Sequence, residues 1–70
     1  MEIDEVYNYL IETNIVSDEA LNLITNINGY SIDTLNDVIY CTTGYRDIEQ
    51  YLQYEDLDTY NEYFNNNKED

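Results

Sequence analysis

The sequence predicts a mainly α fold, a compact bundle of four or five short helices over residues 1–64 followed by a polar tail at 65–70. Apolar residues recur at helical spacing in most segments. Ser, Asp, Asn and Gly punctuate those segments where helices should start and stop. Proline is absent, and neither a linker nor an internal repeat divides the chain, so it reads as one domain. One short strand near 38–43 is the α+β alternative.

Asp4 is the expected cap of a first helix over about residues 4–13, with Ile3, Val6 and Leu10 on one face and Tyr9 beside them. Asn14 suits a left-handed stop, after which Ile15 folds back as the apolar contact. Ser17 then caps a second helix, with Asp18 and Glu19 in its first turn and Ala20, Leu23, Ile24 and Ile27 on one stripe. Asn28-Gly29 is its stop signal. Ser31 opens a third segment in which Ile32, Leu35 and Ile39 keep helical spacing. Val38-Ile39-Tyr40-Cys41-Thr42-Thr43, rich in β-branched and aromatic residues, fits a helix or a short strand. A lone strand has no ladder partner within the chain, which favours the helix. Gly44 breaks the pattern. A fourth helix over about 45–54 places Tyr45, Ile48, Tyr51 and Leu52 inward and Asp47, Glu49, Gln50 and Gln53 outward. It should stop before Glu55 is turned into the core. Asp58 is the expected cap of a last helix, where Tyr60 and Phe64 continue the spacing set by Leu57.

Seventy residues bury a modest core, and a single cysteine rules out an intrachain disulfide. Without histidine, zinc is a poor fit, and no cofactor is expected. Sixteen carboxylates against Arg46 and Lys68 give a formal net charge of −14. Such acidity excludes nucleic acid or anionic membrane as a direct ligand, because those require basic patches. Met1-Glu2-Ile3-Asp4-Glu5 lacks the charge and apolar run of a signal peptide, and no run is long enough to span a bilayer. The free thiol fits a reducing compartment, and cytosol is the expectation.

Catalysis finds little support. No histidine offers a base near neutral pH, and no neighbour is placed to activate Cys41, which reads as a small buried apolar residue. An EF-hand is absent. Aligning Gly29 with the invariant glycine of that loop puts Ile24 and Leu35 where carboxylates belong.

The carboxylate array remains. Residues 44–64 interleave acids with tyrosines around the single cation Arg46. B-DNA carries a phosphate charge per about 1.7 Å of axis, so fourteen net charges match about 24 Å of duplex, near the span expected for this domain. Tyrosines add flat contact area and hydroxyl donors. The binding candidates are Asp47, Glu49, Glu55, Asp56, Asp58 and Glu62, with Asp33 and Asp37 as a second edge. Tyr45, Tyr51 and Tyr60 should pack inward, leaving Tyr54 and Tyr63 exposed for contact.

Over residues 17–54 the pattern has further parallels. An acidic helix begins Ser17-Asp18-Glu19-Ala20-Leu21-Asn22-Leu23-Ile24, followed by Tyr30-Ser31-Ile32-Asp33-Thr34-Leu35. The hydrophobic run Val38-Ile39-Tyr40 comes next, then Tyr45-Arg46-Asp47-Ile48-Glu49-Gln50-Tyr51-Leu52. In this arrangement the chain resembles one domain of the ArdA-type antirestriction proteins of phages and mobile elements. In size and composition it is also similar to small acidic anti-CRISPR proteins. The first family forms elongated multidomain dimers that imitate duplex DNA in the groove of type I restriction enzymes. The resemblance implies a short strand at Val38-Ile39-Tyr40. It also implies a function in the host cytoplasm, blocking the basic DNA groove of a nuclease complex, whether a CRISPR–Cas effector or a restriction enzyme. The rival expectation is a helical interaction module that docks through an apolar-aromatic face, its acidity serving solubility. A homodimer joined through residues 38–43 is a third.

Overall fold

The computed structural model describes residues 1–64; the expected tail at 65–70, with Lys68, lies outside them. Five helices follow one another: α1 (Ile3–Glu12), α2 (Asp18–Asn28), α3 (Ile32–Thr43), α4 (Ile48–Glu55) and α5 (Leu57–Phe64). No strand occurs among the described residues, and the fold is the small mainly-α bundle expected.

The caps explain the boundaries. Helix α1 starts ahead of Asp4, because Glu5 reaches back to accept the Glu2 backbone N–H at 2.7 Å; Glu2 is the cap and Asp4 sits in the first turn. Its far end follows expectation. Asn14 adopts φ 63°, and the N–H groups of Ile15 and Val16 both donate to the Leu10 carbonyl. Ser17 caps α2 by accepting from the Ala20 N–H at 3.2 Å, and Gly29 closes it at φ 104°.

In α3, Ser31 accepts the Thr34 N–H at 3.3 Å, and the helix runs unbroken to Thr43. The strand alternative for 38–43, and the strand implied at Val38-Ile39-Tyr40, are overturned. The hydroxyls of Thr42 and Thr43 donate to the Val38 and Ile39 carbonyls, each at 2.7 Å, so both threonines serve the helix instead of leaving it. The strand edge on which a second copy would have paired is therefore missing as well. Gly44 ends α3 in the left-handed region at φ 86°.

Helix α4 begins at Ile48 instead of Tyr45. Asp47 accepts the Gln50 N–H at 2.9 Å while Gln50 accepts that of Arg46 at 2.7 Å, which leaves Tyr45 and Arg46 in the connection. Glu55 is the last residue of α4 and points to solvent, so the helix extends one residue further than expected without burying it. Asp56, not Asp58, opens α5: its carboxylate accepts from the Thr59 N–H at 3.4 Å and the Thr59 hydroxyl at 2.8 Å. Asp58 falls in the first turn.

The core consists of Val6, Leu10, Val16, Leu21, Leu35, Val38, Ile39, Ile48 and Leu52. Full burial of each such side chain stabilises by about 1.5–3 kcal/mol before entropy is counted. Helix α5 contributes no fully buried residue; Tyr60 and Phe64, with ring centroids 5.5 Å apart, lean on the core from outside. Tyr45 and Tyr51 are half-buried beside it, as expected. The expected stripe of α2 is corrected. Leu21 and Thr25 face inward and Ile24 is half-buried, whereas Ala20, Leu23 and Ile27 are exposed. The sequence carries apolar residues on more of α2 than its neighbours cover. Ile32 is exposed too, while Leu35 and Ile39 are buried as expected.

The bundle is drawn out along one axis, with extents of 43 × 20 × 19 Å and a radius of gyration of 12.4 Å. A chain of this length packed isotropically would give a radius near 11 Å. Helices α1, α2 and α3 form one part, and α4 and α5, packed chiefly on each other, extend it through α3.

Candidate partner-binding surface

Removing Glu69 and Asp70 from the sixteen carboxylates leaves fourteen on the described residues, against Arg46 as their one cationic side chain. The one ion pair among the described residues joins Arg46 to Asp47 at 3.4 Å, with the Arg46 side chain 78% exposed. A pair so exposed contributes little. Three of the carboxylates, Asp56, Glu55 and Asp4, instead accept from tyrosine hydroxyls.

Tyr9 of α1 donates to Asp56 Oδ2 at 2.8 Å, across the boundary between α1 and the α4–α5 pair. This bond, with the two from Thr59, holds the Asp56 carboxyl below its ordinary range. Burial and the same bond push the Tyr9 phenol well above its own. Tyr45 donates to Glu55 Oε2 at 2.6 Å, which raises the Tyr45 phenol, and its ring stacks on Tyr54 at 5.9 Å. Tyr30 reaches Asp4 at 3.5 Å. In each case a neutral donor fixes a carboxylate without cancelling its charge. An arginine or lysine would have fixed it and neutralised it.

Three carboxylates meet at a cleft of about 400 Å³ between α1 and α5, lined by Glu5, Glu12, Asn8, Thr59, Glu62 and Tyr63 among others. Glu5 and Glu12 stand two turns apart on one face of α1. Helix α5 brings Glu62 and Tyr63 across to them. The Tyr63 phenol is raised above its ordinary value first by the charge of Glu5, then by burial, then by Glu62 and Glu12.

The structure thus joins Asp56, Glu62 and Tyr63 of the expected set to α1, while Glu55, the last residue of α4, is held by Tyr45. Glu49 and Asp58 lie exposed in the first turns of α4 and α5, where negative charge favours the helix. Asp47 is committed to its cap and to Arg46. Asp33 is exposed on α3, and Asp37 lines a different groove, between α2 and α3. Tyr54 is 68% exposed and Tyr63 36%, as expected. Glu5, Glu12 and Tyr9 were not expected in the site; the two-turn spacing of the glutamates was the available signal. Cys41 is exposed on that second groove, which corrects the expectation of a buried thiol: it shares the groove with the buried Val38 but stands about 60° further round α3, toward solvent.

Among the described residues no three metal-binding side chains converge on a possible ion site, and no helix is long and apolar enough to cross a membrane. No protein-family model, curated protein or solved structure matches the chain.

Proposed function

We propose that this protein is a phage or mobile-element anti-defence protein. It imitates DNA and blocks the DNA-binding groove of a host nuclease complex, either a CRISPR–Cas effector or a restriction enzyme. The observation that carries the reading is the pairing of carboxylates with tyrosine hydroxyls, at Asp56, Glu55 and Asp4, in place of cations. That arrangement orders negative side chains and keeps their charge, as a phosphate backbone does. A protein acidic only for solubility has no need to fix its carboxylates and usually mixes both signs.

The 43 Å length refines the charge comparison. Fourteen carboxylates less Arg46 leave thirteen net negative side chains on the described residues. One strand of B-DNA places a phosphate every 3.4 Å or so, about thirteen over this length, and the duplex about twice that. Because Asp18, Glu19, Asp33 and Asp37 lie on α2 and α3, the whole charge of the described residues equals at most one strand, and the duplex-like density expected from a span of about 24 Å is not reached over the elongated shape. The rival reading, an interaction module without mimicry, has the apolar groove between α2 and α3 in its favour.

The test is capture of a nuclease complex on the immobilised protein from lysate of the host, followed by elution. Mimicry requires that duplex DNA displaces the partner and that retention falls steeply between about 50 and 200 mM salt. It also requires that joint reversal of Glu49, Glu55, Asp58 and Glu62 to lysine abolishes inhibition of cleavage, while single alanine changes at these exposed positions cost little. Retention indifferent to salt and to duplex would refute the reading.

A further inference from the structure

Helix α2 carries an apolar arc wider than the fold uses. At about 100° per residue, Leu21, Ile24, Ala20, Ile27 and Leu23 follow one another around the helix over roughly 160°. Leu21 is buried and Ile24 half-buried, but Leu23 is 59% and Ile27 73% exposed. Beside this arc, α2, α3 and the α1–α2 connection enclose a groove of about 550 Å³, whose floor includes Ile15, Val16, Ile24, Val38 and Cys41.

The edges of this surface are acidic on both sides. By the same angular count, Glu19 follows Leu23 on the α2 edge, and Asp37 then Asp33 follow Cys41 on the α3 edge. All three are exposed, and none takes part in the Arg46 ion pair. An apolar floor flanked by Glu19 on one edge and by Asp33 and Asp37 on the other fits one kind of ligand. A second copy of this chain would bring like charge against those carboxylates, and an anionic surface would be repelled.

We propose that the α2–α3 groove docks a basic amphipathic helix of a partner protein. The partner's apolar seam lies on Ile24, Ile27 and Leu23, and Lys or Arg flanks face Glu19 on one side and Asp33 and Asp37 on the other. Eleven residues of α2 at about 1.5 Å each give some 16 Å of track, enough for three turns of the partner. This docking is independent of DNA mimicry, which concerns the α1, α4 and α5 carboxylates.

Three synthetic peptides of equal length test it on the intact protein. One carries a Leu seam at i, i+3, i+4 and i+7 flanked by lysines. A second has the same composition scrambled, and a third has the seam flanked by glutamates. Two readouts apply: fluorescence anisotropy of the peptides, and alkylation of Cys41, the only thiol in the chain, which a seated helix should slow. The seam peptide should bind, the other two should not, and Leu23→Asp with Ile27→Asp should weaken binding roughly ten-fold or more while circular dichroism stays unchanged. Glu19→Gln with Asp37→Asn should weaken it several-fold, most at low salt. Equal binding of the scrambled peptide, no binding of the seam peptide, unchanged affinity in the aspartate variant, or a dimer in sedimentation that Leu23→Asp dissolves would each overturn the proposal.

Discussion

Tyr9→Phe removes one oxygen and leaves the ring, including its edge contact with Tyr51 at 6.3 Å. What is lost is the 2.8 Å bond to Asp56 that ties α1 to the start of α5. A hydrogen bond to a charged acceptor stabilises by about 1.5–3 kcal/mol when buried, and both partners here are half-buried, so about 1 kcal/mol is expected. Asp56→Ala loses that bond and also the cap with Thr59, which adds about 1 kcal/mol. The double variant should then be no less stable than Asp56→Ala alone, because the bond can be lost only once. Urea unfolding followed by circular dichroism gives the three values, and the Asp56 titration followed by NMR should return toward the ordinary range in Tyr9→Phe. Additivity of the two single changes within about 0.3 kcal/mol would show that the bond carries no stability. The result matters for function, since this bond sets where Asp58 and Glu62 stand relative to Glu5 and Glu12.

The remaining predictions concern pH, salt and the backbone. The Asp56 carboxyl is depressed below its ordinary value of 3.8 in the folded state, so its stabilisation is complete above the unfolded value and is lost as pH falls through the folded one. The stability gap between the parent and Asp56→Asn should therefore close below about pH 4 in urea titrations; a gap that widens there would contradict that sign. With a net charge of −14, raising NaCl from about 20 to 500 mM at pH 7 should raise the melting temperature by screening self-repulsion, and an unchanged or lower value would contradict it. At Gly44, φ is 86° and a Cβ added there would meet nothing within 4 Å, so Gly44→Ala should cost only the backbone penalty of about 1–2 kcal/mol in the same assay. A cost above about 3 kcal/mol would mean that packing, not conformation, selects glycine.

The helix stops were legible because each is a local event: Asn14, Gly29 and Gly44 all adopt positive φ, whatever packs around them. Starts were legible where a serine stood alone, as at Ser17 and Ser31. They shift by one or two residues where several acids compete. Asp4 loses to Glu2 because Glu5 reaches back, and Asp58 loses to Asp56 because Tyr9, 47 residues away in sequence, fixes that carboxylate. The α2 stripe departs from expectation for a related reason. Periodicity reports that a face is apolar, not that something covers it, and only the placement of α1 and α3 decides that Leu21 is inside and Leu23 outside. The acidic edge of α4 and α5 was visible in composition, but its junction with Glu5 and Glu12 depends on the long-range contact between α1 and α5.

Charge alone makes a poor inhibitor of one particular enzyme. Every basic groove in a cell attracts a chain with this net charge, and an electrostatic complex loosens as salt rises. Discrimination needs a second contact that depends on shape and resists screening. The docking proposed above would supply one at a separate place: the carboxylates held by Tyr9 and Tyr45, Asp56 and Glu55, stand at the junction of α4 and α5, and the uncovered apolar arc lies on α2. Were both proposals to hold, the two surfaces would act by different physics, with long-range attraction supplied by groups that must stay hydrated and a shape-dependent contact by groups that gain from leaving water. A bundle with a larger core would have drawn Leu23 and Ile27 inside. This elongated one leaves them outside, where they add little to stability and gain only when a partner takes them out of water.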